Sequence, residues 1–208
     1  EAADGAVGWG ECSTLSVPGY SAEHTEGAWT VLRDHLAPAL LAGRPLLMAP
    51  GNPMAFAGIE MACIDLGLRR AGRRLVAEFG VSVERVPVGV VIGVQDSVYD
   101  LLVAVGRRVD EGYAQVKCKV AGPGWVDALG TVRDTWPDLP LAVDANGTLS
   151  PSDVIDAVDA IDALALDYLE QPVPGADLDG VPTVVGALTT RVALDESLPD
   201  AAAPEEAV

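Results

Sequence analysis

Four ionisable residues recur along this chain at intervals of 25, 26 and 25 positions: Lys119, Asp144, Glu170 and Asp195. Each lies at the end of a short apolar run: YAQVKCKV (113–120), LPLAVD (139–144), ALDYLE (165–170) and RVALD (191–195). About 25 residues is the length of one strand, one helix and the two short loops joining them. A chain with that period repeats a βα unit and places one charged group at the same point of each. In a parallel α/β barrel that point is the C-terminal mouth, where active sites lie. The spacing predicts four charged side chains converging on one mouth, as in a metal site with a base beside it.

Lysine usage narrows the chemistry. Of 13 basic residues 11 are Arg, and the two Lys are Lys117 and Lys119. Lysine can lose its proton in a partly dry site and arginine cannot. Side chains alternate across a strand, so Lys117 and Lys119 share a face and Cys118 takes the other. Two neighbouring ammonium groups repel, which lowers at least one pKa and offers a neutral amine as base. Asp144, Glu170 and Asp195 would also repel one another unless a cation joined them. With Mg²⁺ they make a hard, all-oxygen site with positions open to substrate. A metal beside a lysine suits removal of a proton next to a carboxylate. A single acid at a strand end has a plainer reading as the N-cap of the next helix. Three in phase, one unit after a lysine pair, point to a shared role.

Composition removes other classes. Apolar residues make up 50% of the 208, which is globular rather than disordered usage. A net charge of −18 argues against nucleic acid as a partner. No apolar run is long enough to span a membrane. The start, EAADGAVGWGE, lacks the basic and apolar regions of a signal peptide. Cys12, Cys63 and Cys118 are odd in number and widely spaced, which reads as reduced thiols in a cytoplasmic protein. The cluster Arg69, Arg70, Arg73 and Arg74 reads as cations at a helix C-terminus. His24 and His35 read as solvated. Gly8 and Gly10 around Trp9 read as a tight strand end.

The periodicities predict a strand over 5–11, a helix over 23–42 bent near Pro38, and a loop over 44–53. A helix follows and stops at Gly72. From 86 onward VPVGVVIG reads as a strand buried on both sides. Helices follow near 96–111, 123–135, 151–163 and 176–188, with Asp96-Ser97 capping the first and Ser150-Pro151 as cap and N1 of the third. A last helix begins at Pro204. The expected class is α/β: a small α+β module in 1–80, then about five βα units over 86–208, part of a modified (β/α) barrel. Five strands do not close such a barrel, so the chain reads as a fragment of a longer polypeptide.

At these residues the chain resembles the enolase superfamily, in its muconate-lactonising branch. The matching pieces are Lys117-Cys118-Lys119, Val143-Asp144-Ala145-Asn146, Leu169-Glu170-Gln171-Pro172 and Leu194-Asp195-Glu196-Ser197. Through GWGECSTLSVPGYSAEHTEGAWTVLRDHLAPALLAG and VPVGVVIG it is most similar to o-succinylbenzoate synthases and N-succinylamino acid racemases. The resemblance implies a partial capping domain in 1–80 and the N-terminal part of the barrel in 86–208. It implies Asp144, Glu170 and Asp195 as ligands of Mg²⁺, with Mn²⁺ able to substitute. It makes Lys119 the acid/base and Lys117 its support, with Asn146 and Glu196 steadying the ligands from outside. The loops carrying Gly19, Tyr20 and Met54 would cover a small carboxylate substrate. A second catalytic lysine is expected one unit beyond Asp195, near position 220, so the 208 residues by themselves are expected to be inactive. The complete protein is expected to be a homo-oligomer.

The visible residues serve two reactions. One is syn-dehydration of a cyclohexadiene carboxylate to o-succinylbenzoate, a step of menaquinone synthesis. The other is racemisation of an N-acylated amino acid; dipeptide epimerisation is a weaker third. From a different class, the chain could be a noncatalytic homologue or a doubly wound binding domain. That last fold binds at a single switch point, which gives no reason for four successive strands to end in charge.

Overall fold

The computed structural model describes residues 4–19, 21–47, 51–80 and 85–198. The chain divides into two compact units, Glu1–Glu84 and Arg85–Val208.

The first unit is helical. Helix α1 (Thr25–Val31) runs through a π turn (Leu32–Leu36) into α2 (Ala37–Leu41), followed by α3 (Pro53–Arg70) and the short α4 (Leu75–Glu78). Pro38 has no N–H and crowds the preceding turn, and the π turn lies where that disturbance falls. Ala28, Leu36, Ala55 and Ile59 form the small core.

The strand expected over 5–11 does not form. That segment lies against α3 instead, and its glycines explain how. A Cβ at Gly8 would collide with the Ala62 carbonyl, and one at Gly10 with the Gly58 carbonyl. The Trp9 N–H donates to Asp65 Oδ2 at 2.8 Å, fixing the approach. Glu23 is buried, and its two oxygens accept the Met54 and Ala55 N–H groups, each at 2.8 Å. A helix leaves its first N–H groups without intrahelical partners, so Glu23 caps α3 from 31 residues away in sequence. The arginines at and just past the end of α3 are exposed and paired: Arg69 with Asp65, Arg70 with Asp4 and Arg73 with Glu78.

The second unit is a five-stranded parallel sheet with its strands in chain order. They are β1 (Gly89–Ile92), β2 (Gln115–Lys119), β3 (Leu141–Asp144), β4 (Leu169–Glu170) and β5 (Val192–Ala193). Between them run α5 (Val98–Asp110), α6 (Trp125–Thr135), the pair α7 (Pro151–Asp156) and α8 (Val158–Ala163), and α9 (Gly180–Ala187). Ser97 caps α5, and Ser150 with Asp153 forms a capping box on α7. The single helix expected over 151–163 is broken at Ala157 (φ −110, ψ 9), with Val154 and Ile161 fully buried on either side of the break.

Parallel crossovers are right-handed, so an unreversed strand order winds every helix onto one face of the sheet. That is the wall of a barrel. A doubly wound sheet would need a reversal, and there is none among the described strands. The apolar core lies under the helices: Ile92, Val116, Cys118, Val143 and Leu169 from the strands meet Leu101, Val105, Leu129, Val132, Val154, Ile161 and Val184 from the helices. Each such large side chain contributes roughly 1.5–3 kcal/mol by leaving water.

Two polar clamps hold the end of the sheet away from the strand C-termini. The Arg133 guanidinium donates to Pro137 O (2.9 Å), Leu139 O (2.8 Å), Leu164 O (2.8 Å) and Ala165 O (3.1 Å), closing the carbonyl ends of α6 and α8 together. Lysine lacks this planar fork of donors. Asp162 in α8 accepts Thr189 N (2.9 Å), Thr190 N (2.8 Å) and Thr190 Oγ1 (2.7 Å), anchoring the entry to β5. Burial pushes the Asp162 pKa up, but the hydrogen bonds from Thr189 and Thr190 outweigh it and hold the carboxyl at about 2, against an ordinary 3.8.

A depressed folded pKa stabilises the fold above the unfolded value and ceases to do so as pH falls through the folded one. Asp162→Ala should therefore cost roughly 1–3 kcal/mol near neutral pH in urea unfolding. The gap from wild type should close as pH drops from about 3.8 towards about 2. A gap independent of pH over that range would refute the clamp.

Candidate active site

Register decides which side chains are neighbours. Lys119 pairs with Asp144, Asp144 with Glu170, and Glu170 with Ala193. One pleat earlier, Val91, Lys117 and Ala142 are in register on the same face. The intervening row, Ile92, Cys118, Val143, Leu169 and Val192, points to the helices. Both lysines, Asp144 and Glu170 thus share the face opposite the helices, at the C-terminal ends of adjacent strands.

Asp195 is not level with them. The register partner of Glu170 is Ala193, and β5 ends there, so Asp195 lies one pleat further on, exposed, in the turn after the strand. Equal spacing in sequence had put it in the same row. Among the described residues no three His, Cys, Asp or Glu side chains are gathered closely enough to hold a metal ion. The ladder places Asp144 and Glu170 side by side, and Asp195 follows in the turn after β5.

The charges form a linked set. Lys117 Nζ donates to Glu170 Oε2 at 2.7 Å and stands 3.6 Å from Asp144 Oδ2. Lys119 Nζ is 3.4 Å from the same Asp144 oxygen and donates to Asn146 Oδ1 at 2.6 Å. Asn146 Nδ2 donates to Glu196 Oε1 at 3.0 Å. The amide orientation is forced, since an ammonium only donates and a carboxylate only accepts. Asp144 Oδ1 accepts the Asn146 N–H at 3.0 Å. Burial pushes the Lys117 pKa down, but the hydrogen bond to Glu170 and the charges of Glu170 and Asp144 outweigh it, so the net direction is up. The depression expected from two neighbouring ammonium groups is thus not seen at Lys117, because two carboxylates face it.

Backbone conformation is unusual here. Asn146 (φ 43) and Gln171 (φ 37) are left-handed; Gln171 directly follows Glu170, and Asn146 follows Asp144 by two residues. Asn tolerates this region; for Gln it is uncommon. Gln171 is fully buried and spends its whole carboxamide on hydrogen bonds to the Val173 carbonyl and the Asp195–Ser197 turn. The roles of Gln171 and Glu23 carried no local signal in the sequence, because their partners are remote in it. Gly19 is exposed, and the Met54 N–H is held by Glu23; both belong to the first unit. Tyr20 and the helix expected at Pro204 lie outside the described residues.

A hard divalent cation fits the chemistry of these groups. The acids Asp144, Glu170, Asp195 and Glu196 offer an all-oxygen donor set. Glu196 Oε2 is buried and has no hydrogen-bond partner among the described residues, so there an acceptor is left unsatisfied inside the site. The Lys117 ammonium between Glu170 and Asp144 marks a place where positive charge is stabilised.

Residues 100–208 match the Enolase C-terminal domain-like family. The chain is 37% identical to an N-succinylamino acid racemase from an Amycolatopsis species, over 97% of this chain and 57% of that protein. It is also 37% identical to an o-succinylbenzoate synthase from Geobacillus kaustophilus, over 94% of this chain and 54% of that one. Among solved structures, a dipeptide epimerase from Methylococcus capsulatus complexed with an Mg ion superposes with a TM-score of 0.82 at 26% identity, over 98% of this chain and 62% of the other. The chain thus spans a little over half the length of these relatives.

Facing the helices, Cys118 is 1% exposed, and burial pushes its thiol pKa up to about 12. Thiolate is the reactive form. A thiol reagent at mildly alkaline pH should label Cys12 and Cys63, both partly exposed, well before Cys118. Mass spectrometry of the labelled peptides reads the order. Early labelling of Cys118 would mean that β2 is turned round and that both lysines face the helices.

Proposed function

The chain belongs to the enolase superfamily, and from that premise we propose that the whole protein removes a proton α to the carboxylate of a small substrate, with Lys119 as the base. The reaction we assign is syn-dehydration to o-succinylbenzoate, the step that serves menaquinone synthesis. The observation that carries this reading is the inequality of the two lysines. Lys117 is locked on Glu170 at 2.7 Å with 19% of its side chain exposed. Lys119 stands beside Asp144 with 38% exposed, on the same open face, and is the more accessible of the two to a substrate.

Asp144, Glu170 and Asp195 would hold Mg²⁺, or Mn²⁺ in its place, which when bound supplies positive charge to the substrate carboxylate and to the charge developing beside it. The Mg ion in the Methylococcus capsulatus epimerase supports this choice. Asn146 holds Lys119 from one side and Glu196 from the other, so it aims the amine and links it to the turn that carries Asp195. Lys117 keeps its proton and balances Glu170 and Asp144. In the dehydration, Lys119 Nζ, in its neutral amine form, takes the α-proton as the C–H bond breaks. It then returns that proton to the departing hydroxyl, which leaves as water. Gly19 and Tyr20, with Met54 at the start of α3, are proposed to cover the substrate.

Racemisation of an N-succinylamino acid is the second reading, favoured by the identity to the Amycolatopsis racemase. It uses the same proton abstraction, followed by return of a proton to the opposite face from a second base.

In the whole protein, Lys119→Arg should slow exchange of the substrate's α-proton by about 10²–10⁴-fold and leave Mg²⁺ binding nearly intact, because Arg keeps the charge but cannot be deprotonated. Asp144→Asn should weaken Mg²⁺ binding and lose activity with it. NMR of substrate in D₂O, with and without EDTA, separates the two effects. Exchange at a near-normal rate in Lys119→Arg would remove Lys119 as the base. Parallel assays with the cyclohexadiene acid and an N-succinylamino acid rank lyase against racemase.

A further inference from the structure

We propose that Gln171 is a positioning residue for the cation site: its carboxamide locks the Asp195–Ser197 turn to the end of β4 and so sets where the Asp195 carboxylate is presented. This rests on the reading above that Asp144, Glu170 and Asp195 hold a divalent cation.

The need for such a lock follows from the register. Asp144 and Glu170 end regular strands and are placed by the ladder. Asp195 lies past the end of a two-residue strand, so strand pairing does not place it. The last ladder bond on that side runs from the Gln171 N–H to Ala193 O at 2.8 Å. From there the same residue takes over with its side chain. Gln171 Oε1 accepts the Asp195 N–H at 2.9 Å and the Ser197 N–H at 3.1 Å. Gln171 Nε2 donates to Ser197 Oγ and to Val173 O, each at 2.8 Å. A carboxamide has two donor hydrogens and one oxygen with two lone pairs, and all are used. The O and N cannot be exchanged, because backbone N–H groups only donate and the Val173 carbonyl only accepts. The Gln171 carbonyl accepts the Gly147 N–H at 2.7 Å, so the loop after β3, which carries Asn146, is tied to the same residue.

A merely space-filling role would call for an apolar side chain in this fully buried position. Gln is retained in a left-handed conformation it rarely adopts, and two of its four side-chain bonds go to backbone N–H groups of the one turn that bears Asp195 and Glu196. Groups that orient metal ligands from outside typically alter metal affinity 10- to 100-fold when changed. Gln171→Met keeps the length and removes every hydrogen bond. Ser197→Ala removes one partner of Gln171 Nε2 and keeps both bonds from the turn's N–H groups to Gln171 Oε1.

The test is Mn²⁺ affinity of the whole protein, read by electron paramagnetic resonance with no substrate present. Gln171→Met should bind Mn²⁺ at least about 10-fold more weakly, and Ser197→Ala should stay close to wild type. Arg133→Lys, which loosens the far end of the sheet, should leave affinity unchanged and so controls for lost stability. Glu170→Gln should weaken binding as a direct ligand. If Glu170→Gln weakens binding but Gln171→Met does not, the proposal is overturned and the cation site stands. If neither does, the cation site itself falls and the proposal with it. Should Gln171→Met fail to fold, wild type alone decides by hydrogen exchange. Coupling is reciprocal, so saturating Mg²⁺ should slow exchange of the Asp195 and Ser197 amides at least about 10-fold more than that of Thr190 at the other end of β5. Equal slowing at all three would overturn the proposal.

Discussion

Parallel pairing in unbroken chain order is the constraint on which the second unit depends. With right-handed crossovers it leaves one face of the sheet to the helices and the other to whatever the strands carry. Successive side chains then sort themselves without further instruction. Cys118, Val143 and Leu169 go under the helices, and Lys119, Asp144 and Glu170 go to the open face. Ionisable groups so close together are tolerated because they answer one another. Asp144 is 4% exposed in its side chain yet has an ammonium on each flank, from Lys117 and Lys119. Removing one partner of a buried pair leaves an uncompensated charge, at a cost of about 3–5 kcal/mol.

That balance also divides the labour of the lysines. Lys117 lies one pleat below the row and is drawn onto Glu170, which raises its pKa and keeps it charged. Lys119 stands level with Asp144 and is held by the neutral Asn146 oxygen. One lysine therefore serves the charge balance and the other is presented outward. The link Lys119–Asn146–Glu196 runs from β2 to the turn after β5, so the proposed base and the proposed ligand turn move as one assembly.

Much of this was legible in the sequence where the signal is local. Ser97 and Ser150 as helix caps, the shared face of Lys117 and Lys119, the apolar strand runs and the βα period all depend on neighbours a few residues away. What was not legible depends on partners far along the chain. Counting residues placed Asp195 in the row of Glu170, but register counts from pairing, and the last repeat is 23 residues by pairing rather than 25. The strand expected at 5–11 read glycine as strand punctuation, when Gly8 and Gly10 serve close approach to α3. Glu23, Arg133 and Gln171 act through hydrogen bonds to remote backbone groups, and no periodicity marks such residues. Gln171 stood in a quoted motif, yet its role required knowing that β5 stops at Ala193.

The central claim is that Asp144, Glu170 and Asp195 bind one divalent cation beside Lys119. Anomalous diffraction from Mn²⁺-soaked crystals of the whole protein tests it most directly. The account predicts one strong peak bonded to an oxygen of each of the three carboxylates, on the same face as the Lys119 amine. A peak elsewhere, or one that leaves Asp195 out of contact with the ion, would contradict it.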